Sequence, residues 1–136
     1  MFQTAEGVIK PIVYVGIIKD GKLLLVKYRT APNPEKRGWW IPAPGLAFGE
    51  APDARARQVV AELGLALESL ELAEVESLNL PGGWHLMTHY RARVSGEPAA
   101  HANVEETRWV DAAELAALPD VAHGRWEVQL GRKLLA

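Results

Sequence analysis

The stretch that decides the fold runs from residue 39 to residue 65 and reads WWIPAPGLAFGE followed by APDARARQVVAELGL. Its first half is rich in glycine and proline and predicts a loop, and Pro52 with Asp53 is typical of the start of a helix. Apolar residues then recur at helical spacing, and Gly64 stands where a glycine ends a helix. These apolar positions are Ala56, Val59, Val60 and Leu63.

A loop that leads into a helix brings backbone amides and the helix N-terminus together, which favours binding of a phosphate. Carboxylates one turn apart on that helix could hold Mg²⁺, and the ion could activate a water for attack on phosphorus. The face away from the apolar stripe carries Ala54, Gln58, Ala61 and Glu62. Because a bare solvent face usually carries more charge, these residues indicate a loop packed over them, with an ordinary surface helix as the alternative.

Strands and short helices are predicted on both sides of this unit. Asp20-Gly21 predicts a hairpin, and Asp111 with Glu114 resembles a capping box that opens a short helix before Pro119. The order strands, helix, strands, helices predicts a mixed α/β or α+β sandwich. The predicted strands cover 12–18, 23–26, 39–41, 70–80, 84–94 and 107–110, and a last amphipathic helix covers 124–135.

Composition narrows the class of protein. The 136 residues suit a single domain over 1–136, and 15 basic against 17 acidic residues give a net charge of −2, which disfavours a nucleic-acid partner. The chain has no cysteine, so disulfides, thiolate zinc sites and thiol nucleophiles are excluded. The N-terminal residues are not typical of a signal peptide, and no apolar run is long enough to predict a membrane span, so we expect a cytoplasmic protein with no membrane partner.

The segment resembles the box of the Nudix (MutT-like) hydrolases. Gly49-Glu50 looks like the family's Gly-Glu, and residues 57–65 look like the tail of its signature. The preceding hairpin and the run from Glu106 to Asp111 are similar to the family as well. The resemblance implies a Nudix-type α/β/α sandwich with a mixed β-sheet, a divalent cofactor, Mg²⁺ or Mn²⁺, and metal ligation by Glu62, Glu50 and Gly45.

The box departs from the family pattern in several places. Ala43-Pro44 replaces a glycine pair, the loop between Glu50 and Arg57 is one residue shorter, Gln58 replaces a glutamate, and Ala61 replaces another. Glu62 is the helix carboxylate that remains. By resemblance, Arg57 braces the loop by pairing with Glu50, and Gln58 occupies a catalytic position. Since an amide is a weak ligand for Mg²⁺ and alanine is none, we expect reduced metal affinity.

Other residues could complete the site. By resemblance, Glu105 or Glu106 reaches the metal or acts as the base; the alternative is a solvated acidic pair. Arg29 and Arg37, with Lys27 and Lys36, could bind a diphosphate, or they could serve solubility alone. Trp39, Trp40 and Trp84 could stack a base or sugar, although core packing is the commoner role.

Two histidines share one face of the strand over 84–94. His85 and His89 lie roughly 13 Å apart at Cα, too far to bind one ion easily, but both could line a substrate pocket. Ordinary hydrogen-bonded sheet histidines are the alternative. In related GDP-mannose hydrolases a loop histidine before an Arg-Trp strand acts as base; Val104 occupies that place here, and His101 comes earlier.

These observations predict a hydrolase of a nucleoside diphosphate linked to another moiety, nucleotide sugars included. The alternative is a catalytically degenerate Nudix fold that binds a nucleotide or metabolite without hydrolysing it. The small-molecule partner is a nucleotide derivative in both cases. The alternating strand from Trp84 to Tyr90 leaves room for a homodimer interface.

Overall fold

The computed structural model describes residues 7–99 and 101–136. One five-stranded sheet has the order β3-β4-β1-β2-β5; β1 and β4 are parallel, and the other neighbours are antiparallel. This mixed sheet with its helices confirms the predicted α+β sandwich. The elements are β1 (Ile9–Lys19), β2 (Lys22–Tyr28), α1 (Pro52–Glu62), β3 (Ala66–Leu80), β4 (Gly83–Ser95), β5 (Val104–Val110), α2 (Ala112–Ala117) and α3 (Gly124–Leu135).

The core lies around the central strands. Apolar runs in β1 and β2 are fully buried because helices and loops cover both faces of the sheet there. Five of the six predicted strands are present, but β3 begins at Ala66 and β5 at Val104, earlier than the sequence indicated. Tyr14 of β1 and His89 of β4 pack towards Trp126 of α3.

The predicted strand over residues 39–41 is wrong. Trp39 and Trp40 form only isolated bridges, with Val121 and Val26 respectively. The reason is that Pro42 cannot donate a ladder hydrogen bond, so pairing stops after these two residues. The bridges still attach the start of the following loop to β2 and to the segment before α3.

Helix α1 ends as predicted at Gly64. This glycine has φ of 75°, its N–H donates to the Ala61 carbonyl at 2.9 Å, and the N–H of Leu65 donates to Val60 at 3.2 Å. The two bonds form a Schellman motif. Ala56, Val59, Val60 and Leu63 are buried, which confirms the predicted apolar face, and Glu62 becomes the last helical residue.

The remaining helices also begin as the sequence indicated. Asp111 and Glu114 form a complete capping box at α2. No helix in the described ranges is both long and apolar enough to cross a bilayer. Leu72, Val75 and Leu86 are exposed hydrophobic residues of β3 and β4, close to the region where we predict a homodimer interface; that interface stays a prediction.

Candidate active site

A cleft of about 190 Å³ opens beside the C-terminal half of α1; we call it the Glu62 cleft. Five segments line it: α1 with its C-cap, the loop 42–45, the end of β2, Pro32 in the loop after β2, and residues 101–104 at the start of β5. The polar or ionisable side chains among its lining residues are those of Tyr28, Arg55, Glu62, His101 and Asn103.

Glu62 contacts a basic side chain with each of its oxygens. Oε1 lies 3.4 Å from Nη1 of Arg55, and Oε2 lies 3.4 Å from Nε2 of His101. The Glu62 side chain is 31 % exposed. The carboxylate is therefore paired on both sides and still reachable from the cleft.

Arg55 joins the helix to the loop. Its Nε donates to the Gly45 carbonyl at 2.9 Å while its Nη1 faces Glu62. The two side chains lie seven residues apart, which is close to two helical turns, so they share one face. Sequence reasoning missed Arg55, although this spacing to Glu62 was a signal that could have found it.

His101 reaches the cleft because the chain after β4 folds back over the end of α1. The N–H of Ala99 donates to the Leu63 carbonyl at 2.8 Å, beside the helix terminus. On the other side, the N–H of Val104 donates to the His101 carbonyl at 3.0 Å, just where β5 begins. His101 thus approaches Glu62, although it comes before position 104, where the related GDP-mannose hydrolases carry the histidine that acts as base.

Tyr28 anchors the loop 42–45 through one hydrogen bond. Its hydroxyl accepts a hydrogen bond from the Ala43 N–H at 3.1 Å. Burial raises the pKa of Tyr28 to about 12, so the phenol stays neutral under physiological conditions. This bond fixes the loop that carries the Gly45 carbonyl towards Arg55.

The predicted box residues do not all meet at this cleft. Arg57 and Gln58 are exposed, and no ion pair joins Arg57 to Glu50 among the residues of known placement. Glu50 instead accepts a hydrogen bond from the Ala47 N–H at 3.1 Å, within its own loop. The expected loop cover is also wrong, because Ala54, Gln58 and Ala61 are exposed.

A second cleft, of about 500 Å³, lies around the end of β2; we call it the cationic cleft. Arg29 and Arg37 both line it, together with Lys27 and Glu105. Lys27 lies 4.7 Å from the ring centroid of Trp39 and 3.6 Å from the Asp120 carboxylate. Glu106, opposite Lys27 in the β2–β5 register, is exposed and does not line this cleft.

A third cleft, of about 460 Å³, has Tyr14, Trp40, His85 and His123 among its lining residues; we call it the aromatic cleft. His85 lines it, but His89 does not. His89 is only 1 % exposed, its ring nitrogens have no hydrogen-bond partner within residues 7–99 and 101–136, and burial lowers its pKa. The structure therefore separates the two histidines, placing one at a cleft and the other in the core.

Comparison with known proteins identifies the family. The NUDIX domain family matches residues 10–129. The chain belongs to the NUDIX family. A search of curated sequences found no match.

Solved structures share this NUDIX fold. A MutT NUDIX hydrolase from Burkholderia pseudomallei is 25% identical, with a TM-score of 0.70 over 91% of this chain and 98% of that one. An ADP-ribose pyrophosphatase from Streptococcus suis is 18% identical, with a TM-score of 0.69 over 93% and 89%. The NUDIX domain of Shewanella oneidensis NrtR, crystallised with ADP ribose, is 18% identical, with a TM-score of 0.68 over 96% and 90%.

NUDIX hydrolases generally use a divalent metal, and the oxygens that the resemblance assigns to such an ion are engaged by other groups in this structure. Both oxygens of Glu62 already face basic groups, and the Gly45 carbonyl accepts from Arg55. Glu50 is engaged within its loop. Across residues 7–99 and 101–136, no group of three or more histidine or acidic residues could hold a metal ion.

Proposed function

We propose that this NUDIX protein hydrolyses a nucleoside diphosphate linked to another moiety, with nucleotide sugars among the candidates. The observation that carries the proposal is the placement of Glu62 between Arg55 and His101 in a cleft next to a cationic one. Tyr28 lines both clefts, so a single extended ligand could occupy them together.

His101 and Glu62 supply the proton acceptor for an attacking water. A general base must lie within hydrogen-bond reach of the water, and both groups face the same cleft within 3.4 Å of each other. Water would add through its oxygen to phosphorus, and the bridging oxygen would leave with the bonding electron pair. The proton passes to the imidazole or the carboxylate.

Arginine side chains at the two clefts would bind the diphosphate of the substrate. Arg55 faces the Glu62 cleft, and Arg29 and Arg37 face the cationic cleft. Guanidinium groups bind phosphate oxygens in bidentate fashion and stabilise charge that develops on the leaving group. Glu105, which lines the cationic cleft, is the second candidate base; Glu106, Arg57 and Gln58 stay in the proposal on their family positions alone.

The test is a panel of ADP-ribose, GDP-mannose, UDP-glucose, dinucleoside polyphosphates and nucleoside triphosphates, each assayed with and without Mg²⁺ or Mn²⁺. We expect turnover of at least one diphosphate-linked compound, with steep loss in Glu62→Gln. Hydrolysis in ¹⁸O-labelled water then shows whether the label enters phosphate or, for a nucleotide sugar, the sugar carbon. An unchanged rate in Glu62→Gln would contradict the proposed site.

The metal requirement is measured in the same assay. Mg²⁺ or Mn²⁺ dependence remains our prediction from the family, and the engaged state of Glu62 predicts weak affinity in the absence of substrate. Calorimetric titration of the free protein with Mg²⁺ tests this. Tight binding to the free protein would contradict this prediction.

A non-hydrolytic binder is the second candidate function. Two helix positions that are glutamates in the family's box carry Gln58 and Ala61, and the remaining Glu62 is paired on both sides. If no panel compound is turned over while one of them raises the melting temperature clearly, the binder is supported and the hydrolase is contradicted.

A further inference from the structure

A buried carboxylate lies beneath the aromatic cleft. Glu127 of α3 is fully buried, and its Oε2 accepts a hydrogen bond from the Ile41 N–H at 2.6 Å. Its Oε1 accepts from the His123 N–H at 3.0 Å and faces Nδ1 of the same histidine at 2.9 Å. A buried carboxylate is costly unless it is fully hydrogen-bonded, and here both oxygens are satisfied.

This pairing determines which ring atom of His123 is free. A carboxylate only accepts hydrogen bonds, so Nδ1 must carry the hydrogen that Glu127 binds. In the neutral ring, Nε2 is then an acceptor with no partner in the described chain. The ring lies in the wall of the aromatic cleft with its side chain 20 % exposed, and no hydrogen bond to Nε2 is found among the described residues.

The position of the His123 ring is held by its aromatic neighbours. Trp40 lies edge-on to it with the centroids 4.6 Å apart, and Tyr14 and Trp126 also approach it edge-on. Together with the Glu127 bonds, these contacts restrict the ring on several sides. A site built in this way presents one acceptor in a defined place in the wall of a cleft, which suits a flat ring that carries a hydrogen-bond donor.

The aromatic cleft adjoins the Glu62 cleft. Ala43, Pro44 and Gly45 line both of them. A substrate whose diphosphate lies near Arg55 could therefore extend a ring across this short loop to Trp40 and His123. Ile41, at the start of the loop, is attached to Glu127, so the same carboxylate positions both the loop and the histidine.

We propose that His123, held by Glu127, is a specificity-determining residue that accepts a hydrogen bond from an amino or ring N–H group of the substrate's nucleobase. The proposal rests on the proposed function for the class of ligand. Glu127 itself touches no ligand and acts as a positioning residue.

Calorimetric binding of nucleoside diphosphates tests this without any turnover. The probes are ADP, GDP, CDP and UDP, together with purine riboside 5′-diphosphate, whose six-membered ring carries neither an amino group nor an N–H. We expect at least one natural base to bind about tenfold more tightly than the donor-free analogue, the difference that one good hydrogen bond provides. We expect His123→Phe, which keeps the ring packing, to remove this preference, and His123→Gln to restore part of it.

Several results would overturn the inference. They are the absence of binding by every diphosphate, equal binding of the natural and donor-free bases by the unaltered protein, and a base preference that survives in His123→Phe. Val128→Ala is the matched control, because Val128 is buried in the same helix next to Glu127 and lines none of the three clefts. Its base preference should stay as in the unaltered protein, and loss of the preference there would indicate a general effect of α3.

The positioning role has a separate readout. Nitrogen chemical shifts of the His123 ring should report the Nδ1–H tautomer in the unaltered protein and a mixture in Glu127→Gln. An Nε2–H tautomer in the unaltered protein would contradict the proposal. If no panel compound is hydrolysed but the base preference and the tautomer are as expected, only the proposed hydrolytic function is contradicted. If the protein hydrolyses a panel compound but His123→Phe leaves the base preference unchanged, only the role of His123 is contradicted.

Discussion

Glu62 and Glu127 each contact a histidine, but their surroundings differ. Glu127 is fully buried, and its contacts span 2.6 to 3.0 Å. Glu62 is half-buried, and its contacts to Arg55 and His101 are both 3.4 Å. Short bonds that occupy both oxygens in a dry environment hold a carboxylate in place, whereas longer contacts at the edge of a cleft leave it able to meet a ligand.

The difference separates a stabilising role from a chemical one. Removal of the Glu127 carboxylate leaves the N–H groups of Ile41 and His123 without an acceptor, so its main effect should be on folding stability. Removal of the Glu62 charge leaves its partners exposed to water, so its effect should be on turnover. The following predictions test this contrast, from the largest expected effect to the smallest.

Glu127→Ala should lower the free energy of unfolding by about 3 kcal/mol, because loss of a buried, hydrogen-bonded carboxylate leaves its donors unsatisfied. Urea denaturation followed by circular dichroism measures the change. Glu127→Gln is the matched variant and should cost less, since its amide oxygen can still accept one of the bonds. A loss below about 1 kcal/mol in Glu127→Ala would place Glu127 in the same class as a surface carboxylate.

Glu62→Gln should reduce turnover about 100-fold if the carboxylate takes part in proton transfer, which is worth that order of rate. Its free energy of unfolding should change by less than about 1 kcal/mol, because half-exposed ion pairs contribute little. Steady-state kinetics and urea denaturation of the same preparation give both values. A large stability loss with little kinetic effect would reverse the contrast with Glu127.

Arg55→Lys should reduce turnover about tenfold, because lysine cannot contact both Gly45 and Glu62 as the planar guanidinium does. Arg57→Lys is the matched control on the same helix and should have the smaller effect, since Arg57 is exposed. The comparison uses kcat/KM with the best panel substrate. A greater loss of kcat/KM in Arg57→Lys than in Arg55→Lys would support the role that the resemblance implies for Arg57.

His89→Phe should alter the pH dependence of stability rather than turnover. Burial lowers the pKa of His89 in the folded protein, despite the opposing effect of Glu76 and Glu74, while Lys133 adds to the lowering. The unfolded chain therefore binds the proton more readily, and stability is lost as pH falls from 6.5 towards the folded value. Urea midpoints between pH 7.5 and 5 should fall less steeply in His89→Phe, and parallel curves would refute the assignment.

The sequence predicted features that depend on neighbouring residues. Gly64 ended α1 because only a residue tolerant of positive φ completes the Schellman motif there. Asp111 and Glu114 capped α2 because their side chains reach backbone groups three residues away. Alternation along β4 placed His85 and His89 on one face, but it could not show that only His85 reaches a cleft.

The sequence did not predict the partners of Glu62. The resemblance singled out Arg57, as the partner of Glu50, and not Arg55. A helix rotates about 100° per residue, so Arg55 lies only about 20° around α1 from Glu62, whereas Arg57 lies about 140° from it. His101 is far from Glu62 in sequence and approaches it because Ala99 bonds to the end of α1. Such contacts arise from the return path of the chain after β4.

By itself, the sequence determined the α+β class, the loop and helix of the box, and the loss of two helix carboxylates at positions 58 and 61. These follow from periodicity, capping and residue identity, which act over a few residues. Only the tertiary structure decided that Glu62 faces His101 and that Glu127 is buried beneath His123. Burial and pairing of a charge depend on which distant segments pack around it, and no local pattern in the sequence encodes that choice.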